Sequence, residues 1–251
     1  VNLITNSKRV IPLKHYIYSD SEIHQIMDND YKFNSETYDR IKQQIVPKGT
    51  TSRDKLNPAK LLNPFVETLK RKNLTPALFF IFSRKKCQMY AEMIQTTLLD
   101  KDEISRVNHL YDKHIHPYKE KYSDTSQFED MRKLLHKGVA VHHSGMVPIL
   151  KEVIEILFNH GLVKLLFATE TFAVGVNMPT KTVIFTNFEK FDGHINNMRV
   201  LRPDEYRQMS GRAGRRGLDT SGTVIYLPFV PPFSRNEVYN MMTGRVASVQ
   251  S

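Results

Sequence analysis

The chain has 251 residues, of which 40% are hydrophobic and 25% charged, and it contains one cysteine. This apolar content can fill a sizeable core, which excludes a disordered or fibrous protein. The single cysteine, Cys87, forms no intramolecular disulfide and predicts a reduced, intracellular setting, and no apolar stretch approaches the roughly 18 residues that a membrane-spanning helix needs.

The net charge is +10, and the pI lies near 9.5. Such a surplus of Lys and Arg favours a polyanionic partner, nucleic acid above all, because binding releases counterions from the phosphates. The surplus is spread along the chain and is not confined to one tail. A nucleic-acid site would therefore be a folded surface, and a basic surface that serves solubility is the alternative at this stage.

Short apolar runs recur along the chain and predict strands that are buried on both faces. These runs are His15 to Tyr18, Ala77 to Phe82, Val139 to His142, Val163 to Ala168, Thr182 to Thr186 and Thr223 to Leu227. Helical patterns lie between several of them, at about Lys85 to Leu99, Met146 to Phe158 and Asp204 to Ser210. The alternation predicts an α/β protein with a mostly parallel sheet that is covered by helices.

Three segments do not fit this alternation. Residues 19–60 are polar and predict a surface excursion, and residues 100–137 predict an insertion with short helices of its own, because bare loops of that length are uncommon. The sequence after Pro228 predicts a linker. The expected division is an entry strand with a polar excursion over 1–75, a main domain over 76–228 with an insertion at about 100–137, and a linker with the start of a following domain over 229–251.

The strongest motif is QMSGRAGRRG, from Gln208 to Gly217, which places Arg212, Arg215 and Arg216 among three glycines. Guanidinium groups suit phosphate oxygens, and glycines let a ligand approach the backbone. The motif indicates an arginine finger for phosphoryl transfer, with a solvent-exposed basic turn as the alternative. A dinucleotide-binding fingerprint is excluded, because that motif follows a strand and opens a helix, whereas this one follows a predicted helix and precedes a strand.

Three further motifs follow predicted strands, which is where open α/β sheets place ligand contacts. In FATETFAVGVNMP, Thr169 can donate to a phosphate oxygen and Asn177 can bond a ribose. In FIFSRKKC, Ser83 and Arg84 open a helix and suit a phosphate. The third, VHHSGM, predicts no metal site, because its histidines point to opposite faces of an extended chain and lack Cys or carboxylate partners at ligand spacing. Caps and turns are the alternative for each motif taken alone.

Taken in chain order, FIFSRKKC, VHHSGM, FATETFAVGVNMP and QMSGRAGRRG resemble motifs IV, IVa, V and VI of superfamily 2 helicases. The similarity is closest to the superkiller-type DExH-box RNA helicases that serve the RNA exosome, and it covers roughly residues 76–99 and 139–228. The resemblance implies a RecA-like three-layer fold, the second of two such lobes, with ATP and Mg²⁺ bound mainly by the first lobe. The partners it implies are single-stranded RNA, the first lobe and an RNA-degrading complex, and no membrane is expected.

The resemblance also assigns roles by position. Arg215 would be the arginine finger, and Arg212 would reach the ATP phosphates beside it. Gln208 would order this cluster, Asn177 would contact the ribose or bridge to the arginines, and Gly175 would lie against the nucleotide. Such a lobe contacts mainly phosphate and sugar, so binding would be largely independent of base sequence. The implied contacts to the RNA backbone are Ser83, Arg84, Gly145 and Thr169.

The sequence contains neither a G-x-x-x-x-G-K-[ST] phosphate loop nor a DExH motif. We therefore expect no appreciable ATPase activity from this chain alone, and we expect it to be part of a longer 3′ to 5′ RNA helicase. Two alternatives stay open, namely a stand-alone RNA-binding or adaptor module and the same lobe of a DNA repair helicase. A nuclear location, a cytoplasmic location and a viral origin all stay open.

Overall fold

The structure is a computed structural model that describes residues 11–46, 56–122 and 125–244. The strands are β1 (Leu13–Ser19), β2 (Glu22–Met27), β3 (Ala77–Phe80), β4 (Val139–His142), β5 (Leu165–Ala168), β6 (Thr182–Phe185), β7 (Glu189–Asp192), β8 (Asn197–Val200) and β9 (Gly222–Tyr226). The helices are α1 (Ser35–Ile45), α2 (Pro58–Arg71), α3 (Arg84–Glu92), α4 (Lys101–Ile115), α5 (Gln127–Leu135), α6 (Pro148–Asn159), α7 (Thr171–Gly175), α8 (Pro203–Ser210) and α9 (Arg235–Thr243).

Seven strands form one sheet in the order β2-β1-β9-β6-β3-β5-β4. Its pairings are parallel except for that of β2 with β1 at one edge. Every residue of β3, β4, β5 and β6 is buried, because these strands are apolar on both faces and helices flank the sheet. This arrangement confirms the predicted RecA-like α/β fold.

The six predicted strands are all present, with bounds that differ by at most two residues from the apolar runs. The predicted helix from Lys85 to Leu99 is shorter and ends at Glu92. Its early end has a tertiary cause, because the Asn63 side chain of α2 donates to the Met93 carbonyl at 2.9 Å and accepts from the Gln95 backbone N–H at 2.8 Å. These bonds satisfy backbone groups that a longer helix would have used itself.

The polar segment after β1 is more regular than the sequence predicts. It contains β2 and α1, and α1 buries Tyr38, Ile41 and Ile45 in the common core. The three side chains lie at spacings of three and four residues, which places them on one face of the helix. The part of the predicted excursion at residues 47–55 lies outside the described residues.

The predicted insertion at about 100–137 has helices of its own, as expected. Helix α4 begins with a capping box at Asp100 and Glu103, and it buries Val107 and Tyr111. The Tyr111 hydroxyl donates to the Phe128 carbonyl at 2.6 Å, which fastens α4 to α5. The insertion is therefore packed onto the lobe.

A linker was expected after Pro228, but the described part of this segment folds back onto the lobe. The Tyr38 hydroxyl donates to the Phe233 carbonyl at 2.7 Å, and α9 buries Val238 and Met241 in the common core. The proline-rich sequence conceals this packing, because the contacts join residues 195 positions apart. Across residues 11–46, 56–122 and 125–244, no helix combines the length and apolarity that crossing a membrane requires.

Candidate nucleotide and nucleic-acid site

The carboxyl ends of β3, β4, β5 and β6 meet at one edge of the sheet, here called the carboxyl edge. Phe80 and His142 both pair with Ala168, so the loops after β3, β4 and β5 begin level with one another. Open α/β sheets bind ligands at this edge. These loops carry the four residues that the resemblance assigns to the RNA backbone, namely Ser83, Arg84, Gly145 and Thr169.

Arg84 and Gly145 are neighbours at the carboxyl edge. A Cβ added at Gly145 would lie 3.4 Å from Cδ of Arg84 and 3.2 Å from Nδ1 of His143, so a side chain there would crowd both neighbours. The Gly145 backbone N–H donates to His143 Nδ1 at 3.1 Å. Burial, with the nearby Arg84, lowers the pKa of His143 and favours the neutral ring that can accept this bond.

Ser83 is the N-cap of α3, and its hydroxyl accepts from the Lys86 backbone N–H at 3.3 Å. Thr169 is buried, and its hydroxyl lies 3.1 Å from that of Thr171 at the start of α7. Phe172 of α7 packs edge-on against His142, with ring centroids 5.0 Å apart. The loops after β4 and β5 are therefore held together by side-chain packing at the carboxyl edge.

The arginine motif contacts the segment that begins at Thr169. The Arg212 guanidinium donates to the Ala173 carbonyl of α7. The Thr180 backbone N–H donates to the Arg212 carbonyl at 2.9 Å, and the Gly214 backbone N–H donates to the Thr180 carbonyl at 2.7 Å. Gly214 has φ +89°, and a Cβ there would lie 2.7 Å from the Ile11 side chain, so this close pairing requires glycine.

The Arg215 side chain forms a bidentate ion pair with Asp219. Nε and Nη2 of Arg215 lie 2.8 and 2.9 Å from the two carboxylate oxygens, and the Arg215 backbone N–H donates to the same carboxylate at 2.8 Å. The Arg215 side chain holds the pKa of Asp219 below its usual range. Arg215 also lines a cleft of about 590 Å³ with Pro76, Val163 and Met178, which precede strands and so mark the amino edge of the sheet.

The structure thus brings some predicted residues together and separates others. The Arg212 guanidinium contacts α7, in the segment that runs from Thr169 at the carboxyl edge to Met178 at the amino edge, whereas Arg215 lies at the amino edge. The side chains of the remaining predicted nucleotide contacts are exposed or absent, and within the described ranges no hydrogen bond joins them to either arginine side chain. These residues are Gly175, Asn177 and Gln208.

The donor set fits phosphate better than it fits a metal. Two cations, Arg212 and Arg215, lie beside glycines, which is the chemistry that a polyphosphate needs. Among the residues that the structure describes, no group of three or more His, Cys, Asp or Glu side chains could hold a metal ion. The two arginines could therefore contact the phosphates of a nucleotide.

The hairpin of β7 and β8 is a surface feature that the sequence reasoning missed. It stands between β6 and α8 and exposes Phe191, Ile195 and Met198. Exposed apolar side chains grouped on a protruding element are typical of a binding surface, and an aromatic ring can stack on any nucleobase. A weak signal was present, because the run NMRV alternates polar and apolar residues and follows a turn that contains Gly193 and Asn196.

The insertion borders the carboxyl edge. The Val147 backbone N–H donates to the Gln127 side-chain carbonyl at 3.2 Å, two residues after Gly145. A groove of about 410 Å³ lies between α3 and α5, with Arg84 on one wall and Met131 on the other. A role for this segment could not be predicted from its sequence, because these contacts depend on how α5 packs.

The chain is similar to known helicases. It matches the family described as helicase conserved C-terminal domain over residues 115–217. It is 39% identical over 238 residues to the ATP-dependent RNA helicase mtr4 of Schizosaccharomyces pombe, which covers 87% of this chain and 21% of that protein. It is 46% identical over 187 residues to the antiviral helicase SKI2 of Saccharomyces cerevisiae, which covers 74% of this chain and 14% of that protein.

A human relative is similar to the chain to about the same extent. The chain is 39% identical over 238 residues to the exosome RNA helicase MTR4 of Homo sapiens, which covers 90% of this chain and 22% of that protein. The chain therefore spans about a fifth of the length of such relatives. With its RecA-like sheet and its four ordered motifs, it belongs to the DExH-box RNA helicases of the superkiller and exosome-cofactor type, as their second RecA-like lobe.

Proposed function

We propose that this lobe supplies the arginine finger and the RNA-backbone contacts of an ATP-dependent 3′ to 5′ RNA helicase. One observation carries the proposal. The segment from Thr169 to Thr180 starts among the predicted RNA contacts and bonds the arginine motif through Ala173 and Thr180. A helicase needs such a link, because RNA at one site must influence phosphoryl transfer at another.

Arg212 and Arg215 act on the nucleotide in this proposal. When ATP and Mg²⁺ are bound mainly by the first lobe, the bound nucleotide supplies the phosphoryl group whose transfer these cations promote. Positioned positive charge is the main contribution that a protein makes to such a transfer. Because this chain has no phosphate loop, we propose that it has no appreciable ATPase activity alone.

RNA would lie across the carboxyl edge. Arg84 offers a cation, the Thr169 hydroxyl offers a donor, and Gly145 lets a backbone approach closely. All three contacts suit phosphate and sugar, so binding would depend little on base sequence. Two of the relatives are named as RNA helicases, one of them as an exosome RNA helicase, which supports RNA as substrate and an RNA-degrading complex as partner.

Unwinding assays test the proposal. The full-length helicase that contains this lobe should separate an RNA duplex with a 3′ overhang when ATP is present, and it should act poorly on a matched 5′ overhang. A matched DNA duplex should be unwound much more slowly, and the chain alone should not hydrolyse ATP.

The other possible results of these assays favour different functions or contradict the proposal. Faster unwinding of DNA would favour the lobe of a DNA repair helicase. Tight RNA binding by a natural protein that neither hydrolyses ATP nor unwinds RNA would favour the adaptor alternative. Hydrolysis of ATP by the chain alone would contradict the proposed division between the lobes.

A further inference from the structure

A charge bridge, formed by Glu170, Lys190 and Glu205, joins the Thr169 loop to α8. Nζ of Lys190 lies 3.1 Å from a carboxylate oxygen of Glu170 and 2.9 Å from one of Glu205. The Lys190 side chain is only 17% exposed, so its position between the two carboxylates is well defined. Lys190 is on β7 of the hairpin, and its two partners belong to different elements.

The two partners of Lys190 sit at functionally different places. Glu170 directly follows Thr169 and is the residue before α7. Glu205 lies in the first turn of α8, one turn before Gln208 on the helix that leads into the arginine motif. Lys190 therefore connects the proposed RNA contact with the helix that leads to the proposed nucleotide contacts.

The α8 end of the bridge is firmly anchored. Glu205 accepts from both terminal nitrogens of Arg199 at 2.8 Å and from the Arg202 backbone N–H at 2.8 Å. The hydrogen bonds from Arg199 hold the pKa of Glu205 well below its usual range, so its carboxylate stays charged. Arg199 in turn pairs with Asp192 at 2.6 Å. Glu170, by contrast, has one cationic partner among the described residues, and that partner is Lys190.

We propose that Lys190 is a positioning residue that couples RNA binding at the Thr169 loop to the arginine motif through α8. The inference rests on the proposed function. Lys190 has two separable effects. It neutralises the Glu170 carboxylate beside the RNA phosphates, and it ties the loop mechanically to α8.

The two effects predict different defects. Without Lys190, the Glu170 carboxylate would repel nearby RNA phosphates, because like charges at short range oppose binding. The loop would also lose its direct bond to α8, so RNA would no longer change the position of that helix. The first defect concerns RNA affinity, and the second concerns the stimulation of ATP turnover by RNA.

The test uses the full-length helicase and measures basal ATP turnover, RNA-stimulated turnover and the half-saturating RNA concentration. Lys190→Met should leave basal turnover within about twofold of wild type and reduce the stimulation by RNA about tenfold, a usual size for coupling between sites. It should also raise the half-saturating RNA concentration. Lys190→Arg, which keeps the charge and can reach two carboxylates, should restore both quantities.

The double variant Lys190→Met with Glu170→Gln separates the two effects. It removes the repelling carboxylate, so the half-saturating RNA concentration should return close to the wild-type value. The stimulation by RNA should stay low, because the bond to α8 is still absent. A matched control is Lys72→Met, which breaks the 2.6 Å ion pair with Glu22 of the edge strand β2 and should leave all three quantities unchanged.

The possible outcomes distinguish failure of the inference about Lys190 from failure of the proposed helicase function. A wild-type enzyme without RNA-stimulated turnover would overturn the proposed function. A stimulated wild type with a Lys190→Met variant that is stimulated equally would overturn the inference alone. A variant that loses basal turnover and thermal stability, with no rescue by Lys190→Arg, would make Lys190 merely structural and also overturn it. A double variant with RNA affinity still weak would overturn the neutralising role.

Discussion

Arg212 and Arg215 of the motif have different surroundings although they are three residues apart. Arg212 donates to a backbone carbonyl on α7, whereas Arg215 is paired with Asp219 through two parallel bonds. A planar guanidinium held in this way by a carboxylate keeps a fixed orientation. The Asp219 carboxylate thus positions the proposed finger within the lobe and leaves its remaining donor edge for phosphate.

Replacement of Arg215 tests the finger directly. Arg215→Ala in the full-length helicase should reduce RNA-stimulated ATP turnover by a factor of about 10³, because an arginine finger contributes at least that much to phosphoryl transfer. Steady-state turnover at saturating RNA and ATP is the measurement. Arg235→Ala, which breaks a surface pair with Asp39, is the control and should have little effect.

Because Arg215→Ala also leaves Asp219 without its partner, the loss of turnover could come from misfolding. A second variant, Arg215→Lys, distinguishes misfolding from loss of the arginine finger. Arg215→Lys keeps a cation near that carboxylate but loses the planar fork. It should fold as the wild type does, as judged by thermal unfolding, and still turn over ATP far more slowly. Turnover near the wild-type rate in both variants would reject the assignment.

His142 should make the stability of the lobe depend on pH. Burial lowers its pKa, and the neutral ring lies 2.9 Å from a Glu155 carboxylate oxygen. The folded state therefore resists protonation more than the unfolded state does, so the stabilising contribution is present above the ordinary His pKa of about 6.5 and is lost as the pH falls through the lowered value.

Urea unfolding of the chain at a series of pH values measures this effect. The free energy of unfolding should decline from pH 7 towards acid, and His142→Gln, which cannot titrate, should make that decline shallower. His109→Gln on the exposed face of α4 is the control and should leave the slope unchanged. An unchanged slope in His142→Gln would contradict the argument.

At the scale of the element, the hairpin of β7 and β8 carries both a member of the charge bridge and an exposed apolar surface. Its base belongs to the charge bridge through Lys190, and its surface exposes Phe191, which is 59% accessible. A rigid base under an exposed aromatic ring suits contact with nucleobases as a duplex opens, because every base offers a face for stacking. Arg199 supplies that rigidity by pairing across the hairpin with Asp192.

Loss of the Phe191 ring should separate unwinding from hydrolysis. Phe191→Ala should lower the rate of RNA unwinding about tenfold, since stacking of one base on an aromatic side chain contributes about 1–3 kcal/mol. RNA-stimulated ATP turnover should stay close to wild type, because the ring does not contact the arginine motif. Phe191→Tyr keeps the stacking face and should unwind normally, while equal unwinding by the alanine variant would exclude a role for the ring.

At the scale of the whole molecule, the net charge of +10 acts together with the carboxyl edge. The excess is spread along the sequence and is not confined to one tail, so we expect it to favour encounter with RNA without by itself defining the site. The RNA path proposed here is local, and it runs past Arg84, Gly145 and Thr169. Its contacts to phosphate should therefore give a measurable dependence on salt.

Binding of a short single-stranded RNA to the chain should weaken by about threefold between 50 and 200 mM salt for each phosphate that a Lys or Arg side chain neutralises, from the usual slope for single strands. Fluorescence anisotropy of a labelled RNA measures this. Arg84→Ala should reduce the slope by about one phosphate contact, whereas Arg71→Ala, on the far end of α2, should not. An affinity that does not change with salt would contradict phosphate-dominated binding.

The strands and the motif chemistry could be predicted from the sequence because both are local. A strand that is buried on both faces must be a short apolar run, and β4 has the bounds that VAVH predicts. The arginine motif is likewise recognisable, since its residue types and spacing carry its chemistry. Predictions failed where local signals were weak, as in the polar sequence of α1 and the proline-rich segment before α9.

The sequence by itself determined the lobe and its parallel sheet, and it predicted the residues that we propose contact phosphate. Tertiary structure alone decided that the Arg212 side chain bonds α7 while Arg215 pairs with Asp219, that Lys190 bridges two carboxylates, and that α9 packs against the core. The reason is physical. Backbone periodicity is set by neighbouring residues, whereas the partner of a charged side chain depends on which elements packing brings within a few ångströms of it.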